Sequence, residues 1–197
     1  MARIDLMRKA QQVALTASAR KTDASRRKCF VSYHVDDIDE VTAFLDTFGS
    51  EFIPRSVGVT EEDDFVDSDD TDYIKRKIRE KYLSDSTVTI VLLGKCTWAR
   101  KFVDWEISSS LRNDTVNRRS GLLVLPLPSR NNSAHLPDRV KDNWTEGDLE
   151  KSYALYKSYP TSTAGLRRDI NSAFDARTDS RKKVTNTRAL RQRNATC

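Results

Sequence analysis

Glu106 is the residue whose position in the sequence points most clearly to chemistry. Val103, Ile107 and Leu111 recur every four residues, which predicts that they form the apolar stripe of a helix that faces a sheet. At 100° per residue, Glu106 lies about 40° from Phe102 and about 60° from Val103. The Glu106 carboxylate is therefore expected at the edge of the stripe, partly removed from water and usable for chemistry.

A structural role for Glu106 is the alternative. A glutamate on a helix can also pair with a neighbouring cation, and Arg100 and Lys101 are near enough in sequence to do so. Asp104 lies about 160° around the helix from Glu106, so its carboxylate is expected to face solvent.

Two loops are candidates for holding a ligand beside this helix. In a doubly wound parallel sheet, ligands bind beyond the carboxyl ends of the strands, where the strand order reverses. Here that position corresponds to the loops 33–36 and 94–98. The rings of Tyr33 and Trp98 are suited to stacking on a planar ligand, and packing at the rim of the core is the alternative for each.

Other chemistries find no support in the sequence. None of the 6 glycines fits the spacing of a dinucleotide fingerprint or a Walker A loop, and there is no C-x-x-C pair. His34 and His135 lack ligand-like spacing. The acidic run at 67–72 lacks the glycine and the final glutamate of a calcium loop. We therefore expect no metal.

Strands and helices alternate along the chain. Strands are predicted at 29–33, 52–59, 86–94 and 121–127. Helices are predicted at 38–48, 74–82, 98–111, 148–157 and 165–176. Strands that are apolar throughout belong to a sheet covered on both faces. The predicted fold class is thus α/β, a three-layer, flavodoxin-like parallel sheet with helices on both faces and the strand order 2-1-3-4-5.

Composition limits the class of protein. The mean hydropathy is −0.64, no apolar stretch is long enough to span a membrane, and the first residues lack the features of a signal peptide. Cys29, Cys96 and Cys197 are odd in number and widely spaced, which implies no disulfide framework. We expect a soluble protein of a reducing cytoplasm.

The charge is concentrated at the two ends. The net charge is +5, yet residues 1–28 and 176–197 each carry +6, which leaves −7 for the middle of the chain. Basic ends can touch nucleic acid, but they are more often solvated and disordered. We expect an extension at 1–27 that is a docking helix, an oligomer contact or a frayed segment, a domain at 28–175, and a basic disordered tail at 176–197.

Three segments of the domain resemble a known family. In order, KCFVSYH, DYIKRKI and STVTIVLLGKCTWARKFVDWEI are similar to the TIR-like domains of bacterial Thoeris antiphage defence. The resemblance runs from Lys28 to Trp144, 117 of the 197 residues. It is strongest from Asp72 to Ile107 and leaves both basic ends uncovered.

The resemblance implies an activity and a set of site residues. It implies a flavodoxin-like TIR fold that cleaves the nicotinamide–ribose bond of NAD, with Glu106 as the catalytic residue. Ser32, Tyr33 and His34 correspond to the family's nucleotide-binding edge, and we add the two aromatic residues nearest to the glutamate and the second loop. These are Phe102 and Trp98. NAD is then a substrate, and no cofactor is expected.

The sequence departs from the common TIR pattern in two places. In most TIR domains a Trp-Cys pair precedes the glutamate, whereas this chain has Phe102 and Val103 there. The TIR-like subgroup that it resembles usually has Phe or Trp followed by Val at these positions. The loop 53–71 is unusually acidic, so we assign no substrate contacts to it.

The resemblance also implies partners. The product would be a cyclic ADP-ribose-type nucleotide that activates a separate effector protein, and self-association is expected. Two other functions stay open: a non-catalytic TIR-like interaction module, and a nucleic-acid binder for which only the basic ends argue. Neither nucleic acid nor a membrane is the favoured partner.

Overall fold

A computed structural model describes residues 2–55, 63, 66–114, 118–130 and 135–197. Within these residues the helices are α1 (Ala2–Ala19), α2 (Ile38–Phe48), α3 (Thr71–Ile78), α4 (Lys101–Leu111), α5 (Asp138–Lys141) and α6 (Thr163–Asp175). The strands are β1 (Lys28–Ser32), β2 (Ile53–Arg55), β3 (Val88–Leu93), β4 (Gly121–Pro126) and β5 (Ala154–Tyr156).

The strands form one parallel sheet in the order β2-β1-β3-β4-β5, which confirms the predicted flavodoxin-like fold. The central strand β3 pairs with β1 on one side and with β4 on the other. All of its residues are buried, which explains its uninterrupted apolar sequence. Since the order reverses between β1 and β3, the loops that leave these two strands border a crevice at the carboxyl edge of the sheet.

The prediction of a helix at 148–157 is wrong. Residues 154–156 form β5, which pairs with residues 122–124 of β4. The added strand satisfies backbone groups along the outer edge of β4. Long-range pairing therefore decides the conformation of a segment whose local pattern favours a helix.

Helices cover both faces of the sheet. On one face α2 and α6 share a core that includes Phe44 and Ile170, and Ala14 of α1 packs into the same core. On the other face α4 and α5 pack around Ile107 and Val140, beside α3. The result is the expected three-layer arrangement.

The N-terminal extension contains a docked helix. Ala10, Ala14 and Ala17 of α1 are buried, and α1 lies against α2 and the turn that follows it. The helices meet closely at Gly49, because a Cβ atom there would come within 2.9 Å of the Ala17 Cβ. Small side chains on both sides thus allow the backbones to approach.

The prediction of a disordered tail at 176–197 does not hold in the structure. Leu190 is buried, the Trp105 indole Nε1 donates to the carbonyl of Arg191 (2.8 Å), and the Ala195 amide donates to the carbonyl of Ala99 (2.9 Å). The tail is anchored through its backbone groups and also through side chains such as those of Asn186 and Arg188. Such bonds depend on what the fold places beside the chain, and a polar composition does not reveal them.

A disulfide links this tail to the sheet. Cys96, in the loop after β3, is bonded to Cys197, and their Cα atoms lie 5.5 Å apart. Cys29 is buried and free. The expectation of no disulfide is therefore wrong, since two cysteines separated by 101 residues become neighbours only through the fold.

Some predictions fall on other parts of the chain. Residues 56–59 of the predicted strand 52–59, and part of the acidic loop 53–71, lie outside the described residues. No helix within the described ranges is both long and apolar enough to cross a membrane.

Candidate functional site

The structure joins Glu106 to the end of the first strand. Ser32 is the last residue of β1, and its hydroxyl donates to the Glu106 Oε2 across 2.5 Å. Ser32 is 0% and Glu106 3% exposed. Burying a carboxylate is costly unless hydrogen bonds replace its water, so the serine hydroxyl helps to hold this group in the interior.

Glu106 is more deeply buried than its place in the sequence predicts. The pattern placed it at the edge of one apolar stripe, but every residue from Val103 to Leu111 is buried. The sheet covers one side of α4, and α3 and the C-terminal tail cover the other. A helix covered all round loses its solvent face, which the stripe alone does not indicate.

Tyr33 is the ionisable neighbour of this carboxylate. It follows Ser32 at the carboxyl edge and is half-buried. Burial raises the pKa of the Tyr33 phenol, and the negative charge of Glu106 raises it further. At neutral pH Tyr33 is therefore a hydrogen-bond donor close enough to Glu106 to sense its charge.

His34 is the next residue of the same loop, and its ring contacts a carboxylate. Its Nε2 is 2.9 Å from the Asp36 Oδ2. The imidazole is buried, whereas the Asp36 carboxylate is exposed. The pair thus connects a buried imidazole with an exposed carboxylate at the rim of the crevice.

A second carboxylate, Asp37, ties the two crevice loops together, and the sequence analysis missed this role. The Gly94 amide donates to the Thr97 Oγ1 (2.9 Å), and the Thr97 hydroxyl donates to the Asp37 Oδ2 (3.2 Å). A Cβ atom at Gly94 would collide with the Asp37 carboxylate at 2.1 Å. The available signal was an aspartate after the first strand and a glycine after the third.

The environment of Asp37 raises its pKa. Burial is the main cause, opposed by the hydrogen bond from Thr97, and the nearby charges of Glu40 and Asp36 raise the pKa further. Asp37 directly precedes α2, but its side chain makes no capping hydrogen bond. Asp37 instead lies between the loops.

The two aromatic candidates have different surroundings. Trp98 is half-buried and stacks on His135, with ring centroids 4.7 Å apart and an interplanar angle of 24°. Phe102 packs edge-on against Trp105, with centroids 5.6 Å apart, in an apolar cluster that includes Ile74 and Leu190. The structure thus brings Ser32 and Glu106 into contact, whereas the Phe102 ring contacts Trp105 on one side and the Lys101 ammonium on another.

The expectation that Asp104 faces solvent is wrong. Asp104 is 7% exposed, the Arg139 Nε lies 2.8 Å from its Oδ1, and the Arg191 amide donates to its Oδ2 (2.9 Å). The reason is that α5 and the C-terminal tail cover this side of α4. Asp104 belongs to a buried ion pair.

The arrangement combines a buried carboxylate, a hydroxyl and a neutral phenol at a sheet edge that suits nucleotides. Such a carboxylate can stabilise a developing positive charge, strongly so in a setting with little water. Within the described residues, no three His, Cys, Asp or Glu side chains are grouped so that they could hold a metal ion.

Comparison with known proteins identifies the family of this chain. The family model for the Thoeris protein ThsB, TIR-like domain, matches residues 30–132. The match begins within β1 and extends past β4, and it includes both crevice loops and Glu106. No curated protein and no solved structure matches the chain.

Proposed function

The chain belongs to the TIR-like domain family of the Thoeris protein ThsB, a family of antiphage defence, and on this premise we propose that it cleaves the nicotinamide–ribose bond of NAD. The observation that carries the proposal is the buried Glu106 carboxylate, hydrogen-bonded to Ser32 where β1 ends. Glu106 is the catalytic residue, and Tyr33, His34, Trp98 and Phe102 are the proposed substrate-binding set together with Ser32.

One carboxylate is sufficient for this chemistry. When the bond between ribose C1′ and the nicotinamide nitrogen breaks, the electron pair goes to nicotinamide, which leaves as a neutral molecule. No general acid is required, unlike the hydrolysis of ordinary glycosides. The positive charge that develops on the ribosyl centre is stabilised by the Glu106 carboxylate.

The nucleophile that captures the ribosyl centre decides the product. Attack by water gives ADP-ribose and releases a proton, whereas attack by an atom of the same molecule also releases a proton and gives a cyclic form that contains one water less than ADP-ribose. Excluding water favours the cyclic product, and Glu106 and Ser32 are both buried. The product is then a cyclic ADP-ribose-type signal that activates a separate effector protein.

Access to Glu106 requires movement. With only 3% of Glu106 exposed, the residues that cover it have to move before a ribosyl group reaches it, and we infer that the loops 33–36 and 94–98 at the same edge of the sheet take part in this movement. The Asp37–Thr97–Gly94 contacts hold these loops together. Self-association or a signal from infection that opens them would switch the enzyme on.

The test is nicotinamide release. The purified protein is incubated with NAD, with and without lysate from phage-infected cells, and nicotinamide and nucleotide products are measured by chromatography and mass spectrometry. We expect release above that of lysate alone, with a product lighter than ADP-ribose by one water. Equal release with and without the protein would contradict the enzymatic function and favour a non-catalytic interaction module.

A further inference from the structure

A cavity of about 490 Å³ lies at the amino-terminal edge of the sheet. It is lined by Lys28, the first residue of β1, whereas Ser32 at the other end of the same strand contacts Glu106. We call it the amino-edge cavity. Its cationic lining residues are Arg26, Arg27, Lys28, Arg79, Arg118 and Arg177.

The fold gathers the basic ends of the sequence at this cavity. Arg26, Arg27 and Lys28 come from the basic segment 1–28, and Arg177 comes from the basic segment 176–197. Two regions that are far apart in sequence thus contribute their charge to one concave surface. A concave surface lined by charge of one sign concentrates ions of the opposite sign.

The single carboxylate of the lining is already neutralised. Asp85 lies 3.0 Å from the Lys28 Nζ and 2.8 Å from the Arg55 guanidinium. Hydrogen bonding and charge from Lys28 lower the pKa of Asp85. No carboxylate among the described residues lies within ion-pair distance of the guanidiniums of Arg27, Arg79, Arg118 or Arg177, so none of these four charges has an ion-pair partner in this part of the structure.

Neutral groups hold two of these arginines in position. The guanidinium carbons of Arg27 and Arg177 lie 3.6 and 4.7 Å from the centre of the Phe174 ring. The Arg27 Nε donates to the Asn171 side chain (3.0 Å), and the Arg177 Nε donates to the carbonyl of Arg119 (2.9 Å). The guanidiniums are therefore oriented in advance while keeping their charge.

The deepest cation is Arg79, which is 6% exposed. It donates to the backbone carbonyls of Ser109 (3.3 Å) and Arg118. Burial lowers the pKa of Arg79, although the charge of Asp114 opposes this effect. An anion in the cavity would compensate the cost of burying this charge.

A buried hydroxyl adds an independent sign of a missing partner. Ser86 lines the cavity and is 7% exposed, and its buried Oγ has no hydrogen-bond partner among the described residues. Buried polar atoms without a partner are rare in folded proteins. A phosphate oxygen would accept a hydrogen bond from it.

We propose that the amino-edge cavity binds a small ligand with two adjacent phosphate groups, such as a nucleoside diphosphate. Arginine forks match the geometry of phosphate oxygens, and the four guanidiniums suit the charge of a diphosphate better than that of a single phosphate. The cavity volume of about 490 Å³ is typical of sites for small molecules. Its most buried polar groups are on Arg79 and Ser86. They are more accessible to a small ligand that enters the cavity than to a nucleic-acid strand that passes along the surface.

The experiment is a calorimetric titration of the full chain with inorganic pyrophosphate at fixed ionic strength and without divalent cations. We expect saturable binding that Arg118→Gln and Arg177→Gln each weaken about tenfold or more. Arg168→Gln, an exposed arginine outside the cavity, should leave the affinity unchanged. Glu106→Gln should also leave it unchanged, so this result is independent of NAD cleavage.

Further titrations separate the sources of the phosphates. Binding of ADP more tightly than pyrophosphate would assign a nucleotide, and equal binding would assign the diphosphate group alone. Three outcomes would overturn the proposal: no saturable binding at about 1 mM pyrophosphate, equal weakening by Arg168→Gln and Arg118→Gln, or binding of a single-stranded oligonucleotide that pyrophosphate does not displace.

Discussion

Single side chains at the carboxyl edge show how the fold keeps a carboxylate in its interior. The Ser32 hydroxyl meets Glu106 across 2.5 Å, and Tyr33 stays protonated beside it because burial and the charge of Glu106 raise its pKa. The spacing of apolar residues predicted that the Glu106 carboxylate is partly removed from water. It could not predict Ser32 as the partner, because the two residues are 74 positions apart.

The Ser32–Glu106 bond leads to a prediction for stability. Ser32→Ala removes the donor and leaves a buried carboxylate oxygen less well satisfied, so the free energy of unfolding should fall by about 1–3 kcal/mol. Nicotinamide release should fall as well, since the carboxylate loses the group that orients it. Urea unfolding and the NAD assay measure the two effects.

Ser109→Ala is the matched control for Ser32→Ala. Ser109 is fully buried on the same helix as Glu106, but its Oγ has no partner among the described residues. Removing this hydroxyl should leave stability unchanged or slightly raised. Equal losses of stability from both substitutions would show that the Ser32 hydroxyl stabilises the fold only by filling space, and not through its hydrogen bond to Glu106.

At the scale of elements, the sequence predicted those whose pattern is local. The strand β3 is apolar throughout, and α2 has its apolar residues at helical spacing up to Gly49, so both were identified correctly. The strand β5 and the docked tail depend on partners from distant parts of the chain. Residues 154–156 become a strand because β4 offers an edge, and the tail is ordered because α4 and α5 bind its backbone.

The docked tail can be tested at one apolar residue. Leu190 is 3% exposed and packs in the cluster with Trp105 and Phe30. Leu190→Ala should lower the free energy of unfolding by about 2–5 kcal/mol, as for other buried leucines. Arg193→Ala, at an exposed position three residues further on, should change it by less than about 0.5 kcal/mol. Equal and negligible effects would mean that the tail is free in solution.

At the scale of the whole molecule, the two edges of the sheet are chemically distinct. The carboxyl edge carries Glu106 with Ser32, and the amino edge collects basic residues from both ends of the chain. The net charge of +5 conceals this separation. Dividing the charge along the sequence indicated basic ends, but only the fold shows that they meet at one cavity.

The disulfide joins Cys197 to Cys96 in the loop after β3. Cys96–Cys197 should leave Cys29 as the single thiol, so alkylation under denaturing, non-reducing conditions should add one group per chain, and three after reduction. Closing a loop of this length is expected to stabilise the fold by about 2–4 kcal/mol, so Cys197→Ser should lower the melting temperature. Three alkylated cysteines without reduction would show that the bond does not form.

The most direct test of the central claim is nicotinamide release by Glu106→Gln. The substitution keeps the size and hydrogen-bonding capacity of the side chain but removes the charge that stabilises the ribosyl centre. Under conditions in which the unsubstituted protein is active, release should fall about 10²- to 10³-fold, while Glu146→Gln, at an exposed position, should keep full activity. Circular dichroism should show that both variants are folded. A folded Glu106→Gln protein that releases nicotinamide at the rate of the unsubstituted protein would contradict the assignment of Glu106 as the catalytic carboxylate.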